Sequence, residues 1–116
     1  MENSIGYLRV RVYSSKKMFP IESARVEIST LENGVKRIIK NVLTDENGNT
    51  GDIPLSSTSK ILSFASDTVP LPVKPYAVYM VKTEAEGYIT DEDRKVSIFE
   101  GVVSIQSVEL VLKDID

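Results

Sequence analysis

Apolar and polar side chains alternate with a period of two along most of this chain, and no dozen-residue window holds a convincing 3.6-residue period. Such a pattern builds strands, because successive side chains of a strand point to opposite faces of a sheet. Leu8, Val10 and Val12 alternate with Tyr7, Arg9, Arg11 and Tyr13, giving one apolar and one charged face, as in a half-buried strand. Ala24, Val26 and Ile28 alternate with Arg25, Glu27 and Ser29 in a second strand. A third runs over 36–44, where Ile38-Ile39 and Val42-Leu43 blur the parity, and Ile53 with Leu55 marks a short fourth. The fifth, 76–85, is apolar on both parities and reads as a central strand. Val96 and Ile98 mark a sixth, and 102–112 a seventh. In this last strand Val103 and Ile105 share one parity while Val108, Leu110 and Leu112 share the other. Either a β-bulge near Gln106-Ser107 resets the face, or Val103 and Ile105 lie on the opposite face of an edge.

Turn signals separate these runs. Ser14 to Lys17 with Pro20 follows the first strand, Asn33-Gly34 joins the second and third, Asp45 to Asn49 follows the third, and Glu86-Gly87 precedes Tyr88. Seven short strands in 116 residues predict a single all-β domain over 1–116, a seven-stranded antiparallel Greek-key β-sandwich with under about a tenth helix. Val10, Val26, Ile28, Val78, Ile98 and Leu110 are its expected core.

Composition bears on function mainly by exclusion. Cysteine and histidine are both absent, which removes disulfides, thiol nucleophiles, thiolate and imidazole metal sites, and the usual general base. The expectation is therefore that the chain is not an enzyme and holds no cofactor or metal. The net charge of −3 favours neither a nucleic-acid backbone nor an anionic membrane as partner. Neither a signal-type N-terminus nor a membrane-length apolar run appears, which leaves localisation open between a cytoplasmic chain and an excised domain.

Asp45-Glu46-Asn47-Gly48-Asn49 has the opening of a calcium loop but not its closing glutamate, and an Asx-type turn explains it as well. The cluster Asp91, Glu92 and Asp93 reads as a solvated turn. No two carboxylates fall where a buried glycosidase pair needs them. Tyr7 and Tyr13 share parity with Arg9 and Arg11, an outward aromatic-basic stripe open to reading as a carbohydrate platform or as ordinary cross-strand support. The 56–74 segment is long for a connection and carries Phe64, Leu71, Pro70 and Pro72, with Pro75 directly after it. Its apolar residues either plug one end of the sandwich or, with Phe64, Leu71 and Tyr76 as anchors, meet a partner.

Pro20-Ile21-x-x-Ala24-x-Val26-x-Ile28, Thr44-Asp45-x-x-Gly48 and Tyr76-x-Val78-x-x-Val81-x-x-x-Ala85-x-Gly87-Tyr88 together resemble the carboxypeptidase regulatory-like, transthyretin-related domains. Pro75-Tyr76, the Gly-Tyr, Val96-x-Ile98-Phe99-x-Gly101 and Gln106 resemble, more narrowly, the N-terminal domain of clostridial-type spore cortex-lytic enzymes. The resemblance implies a prealbumin-like sandwich acting as a non-catalytic accessory or pro-region module, with a protein or cell-wall glycan partner and a spore or cell-envelope setting. The alternative it carries is a transthyretin-like small-ligand carrier formed by oligomerisation; the oligomeric state itself is left open. A hydroxyisourate-hydrolase-like activity is disfavoured, since that relative relies on histidines. Collagen-binding-protein B-type repeats share the Thr-Asp-x-x-Gly turn, and many carry a Lys–Asn isopeptide bond. Arg9 and Arg11 in the first strand and Gln106 in the last replace the residues that bond needs, so no crosslink is expected.

Overall fold

The computed structural model describes residues 4–16, 18–57 and 76–113. These hold seven strands and no helix: β1 (Ile5–Ser14), β2 (Arg25–Glu32), β3 (Val35–Leu43), β4 (Ile53–Ser56), β5 (Tyr76–Glu84), β6 (Asp91–Phe99) and β7 (Val103–Leu110). They form a three-stranded sheet, β4-β1-β7, and a four-stranded sheet, β3-β2-β5-β6. Neighbours pair antiparallel except β1 and β7, which run parallel because the chain crosses to the other sheet and back between them. The all-β, seven-stranded sandwich expected from the alternation is the fold the chain adopts.

The inward faces supply one core. Leu8, Val10 and Val12 of β1, Val26 and Ile28 of β2, Val81 of β5, Ile98 of β6, and Val108 and Leu110 of β7 are all essentially solvent-free. Each such side chain contributes on the order of 1.5–3 kcal/mol by leaving water. One expected core residue is misplaced: Val78 is exposed, and Ala77 and Tyr79 point inward instead. Opposed residues of antiparallel strands share a face. Val26 pairs with Thr83 and Ile28 with Val81, so the odd-numbered residues of β5 must join the core. Val78 is thereby turned outward.

The irregular parities also resolve. Ile28 pairs with Lys40 and Ser29 with Ile38, which leaves Ile39 as the extra residue of a bulge and accounts for the blurred pattern in β3. The bulge considered near Gln106-Ser107 is absent: β7 keeps an unbroken register with β1 from Tyr7↔Val103 to Ser14↔Leu110. Val103 and Ile105 lie on the outer face of this edge strand, 41% and 55% exposed.

Several residues of the resemblance, Ile21, Ala24, Thr44, Asp45, Gly48, Gly87 and Tyr88, gather at one end of the sandwich. The Thr44 hydroxyl, buried, accepts from Ala24 N (2.8 Å) and donates to Ile21 O (2.7 Å). Asp45 Oδ1 accepts from the backbone N–H groups of Asn47 (2.8 Å) and Asn49 (3.0 Å). The stretch that opened like a calcium loop is thus an Asx-type turn whose carboxylate is occupied by its own backbone. Gly48 has φ +77°, and a Cβ there would lie 2.4 Å from Val12 O, so the turn packs against the end of β1 as only glycine permits. Tyr88 packs half-buried against the core and bridges Leu112, while Ile89 N donates to Val111 O (2.7 Å).

Candidate functional site

The opposite end is where β1, β5 and β7 begin and β2, β4 and β6 finish. Of the three residues expected to anchor a partner, Phe64 and Leu71 lie outside the described residues and Tyr76 opens β5. Tyr76 is half-buried and pairs directly with Phe99 of β6, the ring centroids 5.2 Å apart and the planes tilted by 43°. Strand parity puts both rings on the outer face of the four-stranded sheet, with Val78 two residues along β5. Leu31 of β2 lies on the same face, beyond the last residues through which β2 pairs with β5, Ser29↔Met80. Leu31, Val78 and Phe99 are all exposed. Ser57, just past the end of β4, donates its N–H to Ser4 O (2.9 Å). Both described flanks of 58–75 therefore sit at this end.

Sequence reasoning found Tyr76 and missed its neighbours. Phe99 carried a signal, since Val96 and Ile98 do not both face inward unless Phe99 faces out. Val78 carried none within its own strand, because both parities of β5 are apolar.

The outer face changes character along its length. Lys36 Nζ reaches from β3 to Glu27 Oε2 on β2 (2.9 Å) and to Asp93 Oδ2 on β6 (3.4 Å), so one ammonium spans the sheet. The hydrogen bond from Lys36 holds the Glu27 carboxyl below the usual carboxylate range, and the same bond raises Lys36. On one side of this bridge the face is ionic, with Arg25, Lys82 and Glu84; on the other it is apolar and aromatic. Tyr79, from the inward face, donates its hydroxyl to Ser56 O (2.7 Å), which ties β5 to β4 across the sandwich beneath the apolar end. Burial pushes that phenol up from its ordinary pKa.

The aromatic-basic stripe of β1 is not one platform. Tyr7 and Tyr13 lie at opposite ends of the strand, and Arg9 between them is engaged by Asp52 Oδ1 at 2.7 Å, which raises its pKa further. Arg11 and Tyr13 instead line an open cleft of about 510 Å³ with Met18, Pro20, Asn47, Asn49 and Ser107. Arg9 and Arg11 point away from the core, and Gln106 lies opposite Val10 and donates to Ser107 O (2.9 Å). Among the described residues no three carboxylates converge as a metal site would need.

No family model matches the chain, and no curated protein matches it. Solved structures do. GBS52, the minor pilin of Streptococcus agalactiae, superposes with a TM-score of 0.63 at 17% identity over 98% of this chain and 47% of its own. The Bacillus anthracis TIE protein gives 0.60 at 18% identity over 94% of this chain and 17% of its own. A catechol 1,2-dioxygenase of Acinetobacter radioresistens gives 0.63 at 12% identity, over 97% and 53%. The chain thus spans from about a sixth to about half of these proteins, and at such identities the likeness establishes the sandwich fold. It also corrects one expectation. The absence of histidine and cysteine argues against an enzyme, yet the same sandwich occurs in catechol dioxygenases at 9–12% identity. Because a fold hosts unrelated chemistries, this sandwich does not separate enzyme from accessory module.

Proposed function

We propose that the chain is a protein-interaction module that docks through the apolar end of its four-stranded sheet. The observation that carries this reading is the Tyr76–Phe99 pair, set with Val78 and Leu31 on a solvent-facing sheet surface instead of in the core. Rigid aromatic anchors next to exposed aliphatic side chains are what interface hot spots use. The minor-pilin and TIE-protein neighbours support it, as a sandwich of this kind occurs in both. In the finer form of the proposal, 1–116 acts as one domain in a cell-envelope setting, as the narrower resemblance to the spore cortex-lytic N-terminal domain implies, and Phe64 and Leu71 join Tyr76 as anchors. The Tyr76→Ala/Phe99→Ala double variant tests it. Retention on cell-envelope protein fractions falls at least tenfold while the β-sheet circular dichroism is kept; unchanged retention overturns the docking face. Replacing 58–72 with a short Gly-Ser linker then separates the contributions: binding that survives leaves the sheet face as the site and removes Phe64 and Leu71.

A further inference from the structure

Each sheet ends in two edge strands, whose unpaired backbone groups invite another chain unless something blocks them. Three of the four edges carry such a device. β4 is four residues long with Pro54 in the middle. β3 bears Lys36, Arg37 and Lys40 and is interrupted by the Ile39 bulge. β6 opens with five consecutive charges, Asp91 to Lys95, and has a register shift beside them. β7 has none of these. From Val103 to Val108 it holds no charge, proline or glycine, and its eight-residue ladder to β1 is unbroken.

The geometry shows which groups of β7 face away from β1. Tyr7 N donates to Val102 O and Ser15 N to Leu110 O, each at 2.9 Å, so the even-numbered residues of β7 face β1. Alternation along a parallel ladder turns the N–H and C=O groups of Val103, Ile105, Ser107 and Glu109 toward the open edge; the Ser107 carbonyl there also accepts from Gln106 Nε2 (2.9 Å) and keeps its second lone pair for a partner. The side chains of Val103 and Ile105 stand exposed beside them.

We propose that β7 pairs antiparallel with β7 of a second copy of this chain, about a two-fold axis at Ile105, joining two three-stranded sheets into one of six strands. This register sets Ile105 against Ile105, Val103 against Ser107, and Ser104 against Gln106 on the inner side. It makes three hydrogen-bonded residue pairs. The strand's one charge decides among registers: centring on Gln106 sets Glu109 against Val103, and centring on Ser107 sets it against Ile105. The Ile105 centre places Glu109 beyond the overlap, opposite Gly101. Because the contact is isologous and the other three edges are blocked, assembly stops at the dimer. The surface is separate from the Tyr76–Phe99 docking face, so either can fail without the other.

Sedimentation equilibrium of the whole chain across a dilution series, with residue-resolved amide exchange, tests the proposal. The expected result is a mass approaching twice that of the chain, and protection at the amides of 103, 105 and 107 that rises with concentration. Even-numbered β7 amides stay protected at every concentration. Ile105→Lys and Ser107→Pro, which leave the β1 ladder intact, yield monomers of native circular dichroism, whereas Asn41→Lys on β3 leaves the dimer unchanged. A wild-type monomer throughout overturns the proposal, whether its odd-numbered amides exchange freely or are covered by its own chain. A dimer that persists in both β7 variants overturns it as well, and larger polymers overturn the closed two-fold contact.

Discussion

The two ends of the sandwich are organised differently. At the end where β1 and β3 finish, the Thr44 hydroxyl serves two backbone partners, Asp45 caps its own turn and Gly48 packs against Val12, while the buried side-chain oxygens of Ser14, Asn49 and Thr83 have no hydrogen-bond partner. At the other end Val78, Phe99 and Leu31 on one sheet and Val103 and Ile105 on the other are exposed, with Tyr76 half-buried beside Phe99; the first end exposes Met18, Leu43 and Ile89 in its loops and strand ends. The first arrangement holds the loops in place, since a buried donor or acceptor without its partner is costly. The second gives the fold little, because surface left in water has not been buried. The Thr44-Asp45-x-x-Gly48 motif therefore marks how one end folds, whereas Tyr76, Val78 and Phe99, which belong to the same set of motifs, face outward at the far end.

This comparison breaks most visibly at Gly48. In Gly48→Ala the new Cβ has backbone 2.4 Å away and a strained φ of +77°, and the expected loss is about 2–4 kcal/mol in urea unfolding. A loss below about 1 kcal/mol means that the turn shifts freely and does not organise its end. Thr44→Val keeps the shape and removes the hydroxyl, leaving Ala24 N and Ile21 O short of a partner; about 2–3 kcal/mol is expected by the same measurement. The apolar end behaves differently. Val78→Ser and Phe99→Ser each cost about 1 kcal/mol or less, because both side chains are already substantially exposed, yet both weaken partner retention. A loss at Phe99 comparable to that at Thr44 makes the Tyr76–Phe99 pair a fold element and removes it from the docking face.

How much of this was legible in the sequence follows from the range of each signal. Strand existence is local: seven alternating runs with turns between them are visible residue by residue, and Asn33-Gly34, with φ of 53° and 78°, forms the hairpin its dipeptide announces. Which face of β5 is buried is not local. Both parities are apolar, and the choice is made by the pairing of Val26 with Thr83 and Ile28 with Val81, between strands some fifty residues apart in sequence. Val78 was lost to the core for that reason, and with it most of the apolar face. The bulge at Ile39 left a trace, the doubled Ile38-Ile39, but a doubled apolar pair does not say which residue is extra. Gly6 left none: its Cβ would meet Phe99 O at 2.2 Å, a close approach between strands of different sheets that no spacing reveals.

The smallest expected effect concerns the ion bridge between the charged and apolar halves of the outer face. Glu27 is nearly covered, with 12% of its side chain exposed, and its pKa is lowered chiefly by the hydrogen bond from Lys36. A carboxyl whose folded pKa lies below its unfolded value stabilises the fold above the unfolded pKa, and that contribution is lost as pH falls through the folded value. Lys36 has the opposite sign: its raised pKa stabilises the fold at and below the ordinary lysine range and fails only as pH climbs through the raised value. Between these limits the bridge is complete. Urea midpoints of wild type and Glu27→Gln therefore differ at neutral pH and converge under acid, with a gap narrowed by salt because Lys36 remains partly solvated. Parallel midpoint curves down to acid pH mean that the bridge contributes nothing to stability. The boundary between the ionic and apolar halves of the sheet then reflects only which side chains happen to be there.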